Sequence, residues 1–132
     1  MKTKAVFYHA GCPVCVAAEQ NVAAALDPAR FDVEIVHLGH DKSRLAEAEK
    51  AGVKSVPALV LDYAEGIRFE VRADGREVWA TWQSPLTLDD AMTFLLGPVL
   101  GYVLRQRGAL ALHASAAVFD GVAVAFIGPG GA

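Results

Sequence analysis

Cysteine is scarce in this chain: two among 132 residues, both inside "HAGCPVC" at positions 9 to 15. A framework of several disulfides is therefore excluded, and any thiol chemistry must come from Cys12 and Cys15 together. Basic excess is also missing. Twelve lysines and arginines stand against fifteen acidic residues, for a net charge of -3. No basic stripe can track a phosphate backbone, so nucleic acid is not an expected partner. Long apolar runs are missing too. The uncharged stretch "AMTFLLGPVLGYVL" from Ala91 to Leu104 is interrupted by Gly97-Pro98. A spanning helix needs about 20 apolar residues, so this stretch reads as a buried helix or a subunit interface, with no membrane partner. No Gly/Ser linker and no internal repeat divides the chain.

What is present reads first as alternating strands and helices. Residues 4 to 8, "KAVFY", are a short strand. That strand starts too early to leave room for a signal-peptide core, so the expected location is the cytoplasm. Pro13 to Leu26 is an alanine-rich amphipathic helix with Val14, Ala18, Val22 and Ala25 at helical spacing, closed by Asp27-Pro28. Residues 31 to 38 carry apolar groups on both faces, as a strand covered on both sides does. Asp41 then caps a helix that Gly52 ends, and residues 55 to 61, "SVPALVL", form a third strand. The order β-α-β-α-β predicts an α/β fold in which the first two strands are parallel. It also places both cysteines at the carboxyl edge of the sheet.

The pair sits where a thiol is activated. With Cys12 as N-cap, Pro13 occupies the first helical position, where a missing N–H costs nothing, and the amides of Val14 and Cys15 point toward the sulfur. Cys12 is then the expected nucleophile and Cys15, one turn on and more buried, the resolving thiol. Two inert buried cysteines are the bland alternative. His9, three residues upstream, either lowers the Cys12 pKa when charged or is a partly exposed strand-end residue. A zinc site of Cys12, Cys15, His37 and His40 is a further alternative, although the His-x-x-His spacing is tighter than usual. Proline at the start of a central strand predicts a cis peptide at Val56-Pro57.

On these residues the first 62 positions resemble the thioredoxin-like superfamily, and "CPVC" with "SVP" resembles its glutaredoxin branch. The resemblance implies a thiol-disulfide oxidoreductase acting on a protein or small-molecule disulfide. In it Pro57 presents the Val56 backbone to an extended substrate, Pro13 and His9 border the site, and neither a dissociable cofactor nor a metal is required.

After Asp62 the pattern changes. Residues 67 to 82 read as a hairpin with Asp74-Gly75 at its turn, and 87 to 107 as helix broken at Gly97-Pro98. A second hairpin then turns at Asp120-Gly121. "GREVWATW", "LLGPVLGYVLRQRG", "LHASAAVFDG" and "FIGPGGA" resemble the opening of HPr-kinase-like serine kinases. Gly128 to Ala132 supplies only the first five positions of a phosphate-binding loop, without its later glycine, lysine and hydroxyl residue. Nucleotide chemistry is therefore not expected, and His113 and Ser115 take no catalytic role. The expected organisation is a redox module over 1 to 62 and a kinase-like segment over 63 to 132. That second segment either completes the same sheet or acts as an apolar association module that supports a homodimer.

Overall fold

A computed structural model describes residues 2–63, 66–112 and 114–128. Five strands form one sheet in the order β2-β1-β3-β4-β5. Strand β1 (Thr3–His9) pairs in parallel with β2 (Phe31–His37) and antiparallel with β3 (Ala58–Tyr63). Strands β4 (Ile67–Arg72) and β5 (Val78–Trp82) extend the sheet by antiparallel pairing. The expected β-α-β-α-β core and parallel first pair are therefore present, and the first hairpin after Asp62 completes the same sheet. Asp62 and Tyr63, where the sequence pattern changes, pair with Arg68 and Ile67.

Helix α1 (Pro13–Ala25) connects β1 to β2. Cys15, Ala18, Val22 and Ala25 recur at spacings of three and four and are all buried, which fixes the helix on the sheet. The inward position in the first turn belongs to Cys15, not to Val14 as the spacing suggests; Val14 is 71% exposed. After β2 comes a 3-10 turn (Lys42–Arg44) and then α2 (Leu45–Lys50). Asp41 accepts from the Ser43 N–H as expected of a cap, but the first turn is 3-10 and not α. Gly52, with φ +90, ends the helix.

Two further departures are instructive. Strand β2 lies at the sheet edge, so Val33 and Ile35 remain exposed where cover on both faces was expected. Residues 87 to 107 are not broken at Gly97-Pro98: α3 (Leu88–Phe94) runs through a π-helical turn (Leu95–Val99) into α4 (Leu100–Gln106). The wider turn accommodates the proline ring and its missing N–H without ending the helix, and the Leu100 N–H reaches the Leu95 carbonyl. A capping box between Thr87 and Asp90 starts this segment.

The layers follow from the strand alternation. Ala5, Phe7, Leu59, Leu61, Phe69 and Val71 face α1 and the α3–α4 segment, which contributes Ala91, Val99, Tyr102 and Val103. Val6, Tyr8, Val36 and Val60 face α2 through Ala48. Burying each large side chain contributes about 1.5–3 kcal/mol, so the first cluster dominates. Strands β6 (Ser115–Phe119) and β7 (Val122–Phe126) form a separate two-stranded sheet. Among the described residues no helix is long and apolar enough to cross a membrane. His113 and residues 129 to 132, on which part of the kinase-like reading falls, lie outside the described residues.

Candidate functional site

Strand β1 delivers the chain to a short turn, Ala10-Gly11, and α1 starts at once. Gly11 has φ +84, a left-handed conformation that favours glycine. Space enforces the same choice: a Cβ here would lie 2.2 Å from His37 Nε2. The turn thus rests directly on the His37 ring at the end of β2, opposite His9 in the parallel register.

Cys12 is the N-cap, extended at φ -69 and ψ 160, with Pro13 following at the first helical position. Its sulfur is exposed and accepts a hydrogen bond from the Cys15 N–H at 3.3 Å. Cys15 is 1% exposed, and the two sulfurs are 2.6 Å apart as free thiols. Burial opposes ionisation of Cys15. The hydrogen bond with Cys12 and the backbone of Ala10, Cys12 and Gly11 outweigh it, and the Cys15 thiol is held below its ordinary value. Access differs as sharply: only Cys12 can be approached from solvent.

The three histidines near the thiols stack with one another. His37 and His40 lie parallel with centroids 3.7 Å apart, and His9 meets His37 edge-on at 4.6 Å. His37 Nδ1 accepts from the His40 backbone N–H at 3.1 Å. Among the described residues no group of three or more His, Cys, Asp or Glu side chains is arranged to hold a metal ion. The set Cys12, Cys15, His37 and His40 is accordingly not assembled.

His9 is not the partly exposed residue that its strand-end position suggests; it is 4% exposed and stacks on Phe7. Burial lowers its pKa first, with His37 and His40 adding to the effect. Glu19, at 3.6 Å from Nε2, opposes them only in part. Near neutral pH the imidazole is therefore uncharged, which removes the cation that would have stabilised a Cys12 thiolate.

The Val56-Pro57 peptide is cis, as expected. Pro57 precedes β3 instead of lying inside it, which spares the ladder a missing donor. A groove of about 320 Å³ runs between the first turn of α1 and this loop, lined by Val14, Ala17, Val56, Pro57, Ala73 and Asp74 among others. Val14, the exposed residue beside Cys12, thus forms one wall, and the turn after β4 forms the other. A wider cavity of about 960 Å³ opens at the far end of the strands, among Thr3, Phe31, Tyr63 and Phe94, and carries no cysteine.

Of the residues singled out in the sequence, Cys12, Pro13 and Cys15 stand together at the start of α1, and Val56 and Pro57 lie on the groove. Sequence reasoning missed the seat that His37 makes for Gly11, although a glycine two residues past His9 and a histidine in register with it are the signal. It also missed the far groove wall, which no local pattern marks.

Residues 1–76 match the thioredoxin domain profile. Among solved structures, a dimeric thioredoxin-like protein from Nitrosomonas europea is similar at 74% identity, covering 47% of this chain and 78% of its own, with a TM-score of 0.45. The Trx4 domain of ERdj5 is similar at 13% identity, covering 74% of this chain and 80% of its own, with a TM-score of 0.38. No curated protein matches the chain.

Proposed function

We propose that this chain, which belongs to the thioredoxin domain family, is a thiol-disulfide oxidoreductase whose dithiol is Cys12 and Cys15. One observation carries the reading: an exposed N-cap sulfur lies 2.6 Å from a buried second sulfur, at the start of a helix whose Val14 and Ala17 line a mostly apolar groove shared with Val56 and Pro57. Cys12, as thiolate, attacks one sulfur of a substrate disulfide. The mixed disulfide forms, and the other substrate sulfur leaves as a thiolate that takes up a proton. Cys15 then gives up its proton and attacks the Cys12 sulfur, closing the Cys12–Cys15 disulfide and releasing the second substrate thiol. Two electrons and two protons pass to the substrate, and a thiol reductant restores the dithiol.

In this reading Pro13 blocks the N-terminal side of the site, and Val56 with Pro57 supports the substrate backbone. His9 is a neutral wall behind the thiols rather than a substrate contact. The chemistry needs no dissociable cofactor, and it suits the reducing conditions of a cytoplasm. The test is a titration against a thiol/disulfide redox buffer, with free thiols trapped by alkylation and located by mass. The expected result is a single two-electron midpoint, with Cys12 labelled well before Cys15. Two thiols that never pair would overturn it.

A second reading, a non-enzymatic association module, is favoured by the β6–β7 hairpin, whose Val118, Phe119, Val122 and Phe126 are all exposed. It predicts a homodimer through residues 63–132 that survives Cys12→Ser. The resemblance of those residues to the opening of an HPr-kinase-like serine kinase belongs with this reading, without nucleotide chemistry.

A further inference from the structure

The far wall of the groove is the turn that leaves β4, and it is held from outside. The Ala73 N–H donates to the Pro57 carbonyl at 3.3 Å. The Ala73 carbonyl in turn accepts from Gln106 Nε2. Arg107 Nη2 donates to the Gly75 carbonyl at 2.7 Å. Gly75 has φ +64, and a Cβ there would approach Gln106 Oε1 to 3.0 Å, so the turn and the end of α4 are fitted closely. A continuous path of hydrogen bonds therefore leads from the cis-proline, through Ala73, to the last turn of a helix more than 30 residues away in sequence.

The turn has hydrogen bonds of its own, from the Arg72 N–H to the Glu77 carbonyl at 3.1 Å, from the Gly75 N–H to the Arg72 carbonyl at 2.8 Å and from the Arg76 N–H to Asp74 Oδ1 at 3.0 Å, which fix its shape. Arg72 is engaged by Asp74 at 3.2 Å and by Glu77 at 3.1 Å, all three substantially exposed, and such pairs restrain little. The bonds from Gln106 and Arg107 add to these by tying the turn to the helix end.

We propose that Gln106 and Arg107 are positioning residues that fix the outer wall of the groove and so favour an extended disulfide substrate over a small one. This rests on the dithiol reading above. A small disulfide needs only the exposed Cys12 sulfur. An extended chain must also lie along Val14, Pro57 and Ala73, and only such a substrate gains from a wall held at a fixed distance.

The experiment compares two substrates: a cystine-bridged extended peptide, and a small aromatic disulfide that reports only on thiol reactivity. In Arg107→Met, and more strongly in Arg107→Met with Gln106→Leu, KM for the peptide rises about tenfold. That is the scale of one or two lost hydrogen bonds. The kcat and the rate with the small disulfide stay unchanged, and Arg107→Lys, which retains a donor, recovers most of the peptide affinity. Because Arg107 is exposed, the single variant tests the idea even if the double variant melts early. An unchanged peptide KM, or equal losses with both substrates, would overturn the proposal. A wild-type protein no faster than Cys12→Ser with either substrate would overturn the redox reading itself, and that result is visible before any Arg107 variant is made.

Discussion

Two hairpins of this chain, β4–β5 and β6–β7, turn on the same dipeptide and end in different surroundings. Asp74-Gly75 follows β4, and Asp120-Gly121 joins β6 to β7, with Gly75 and Gly121 both at positive φ. Turn chemistry, which is local, is satisfied in both. Burial is not. Ile67, Phe69 and Val71 of β4 are sealed between β3 and the α3–α4 segment, whereas the equally apolar β6–β7 pair is exposed along both strands. An isolated two-stranded hairpin is marginal in water, so composition and turn alone do not make a stable element. A third strand and a covering helix do.

Three measurements break or sharpen this contrast. The largest effect is expected from aromatic truncation. Phe69→Ala should cost about 3–5 kcal/mol in urea unfolding, whereas Phe126→Ala should cost less than about 0.5 kcal/mol. A large cost at Phe126 that grows with protein concentration would show the hairpin covered by a second copy and end the contrast. Next come the turn glycines. Gly75→Ala should lose about 1–2 kcal/mol, because a left-handed conformation penalises a Cβ and the Gln106 side chain leaves little room. Gly121→Ala meets the same left-handed penalty without a steric clash, but in a hairpin exposed along its strands that strain should stay local and leave global unfolding within about 0.5 kcal/mol.

The smallest effect is a pH dependence at the dithiol end. The His9 pKa is lowered on folding, so the unfolded chain takes up a proton that the folded chain resists. Stability is therefore complete above the unfolded value near 6.5 and is lost as pH falls below it toward the folded value. Melting temperature measured from pH 7.5 to 5 should decline less in His9→Asn than in wild type, and an equal decline would remove His9 from the account. The β6–β7 hairpin, whose strands carry no ionisable side chain, should contribute nothing to that slope.

How far the sequence could be read depended on the range of the forces involved. The N-cap role of Cys12, the proline after it and the cis peptide before β3 follow from residues within a few positions of one another, and all were legible. The edge position of β2 was not, because apolar side chains on both faces suit a central strand equally well; only the strand order shows that Val33 and Ile35 have a strand on one side alone. Val14 was misplaced for a related reason. At a helix start either Val14 or Cys15 can face inward, and the sheet below decides. Pro98 shows the opposite error, in which a sound local rule against proline was overridden by a wider helical turn held down by Val99, Tyr102 and Val103. The clamp of Gln106 and Arg107 on Ala73 and Gly75 spans more than 30 residues and leaves no local trace.

That long reach bears on the order in which the protein is made. The thiols need only β1, β2 and the first turn of α1, all within the first 37 residues, but the groove wall is not pinned until Arg107 has been synthesised. A chain emerging from a ribosome therefore presents both cysteines before the residues that tie down the groove wall exist.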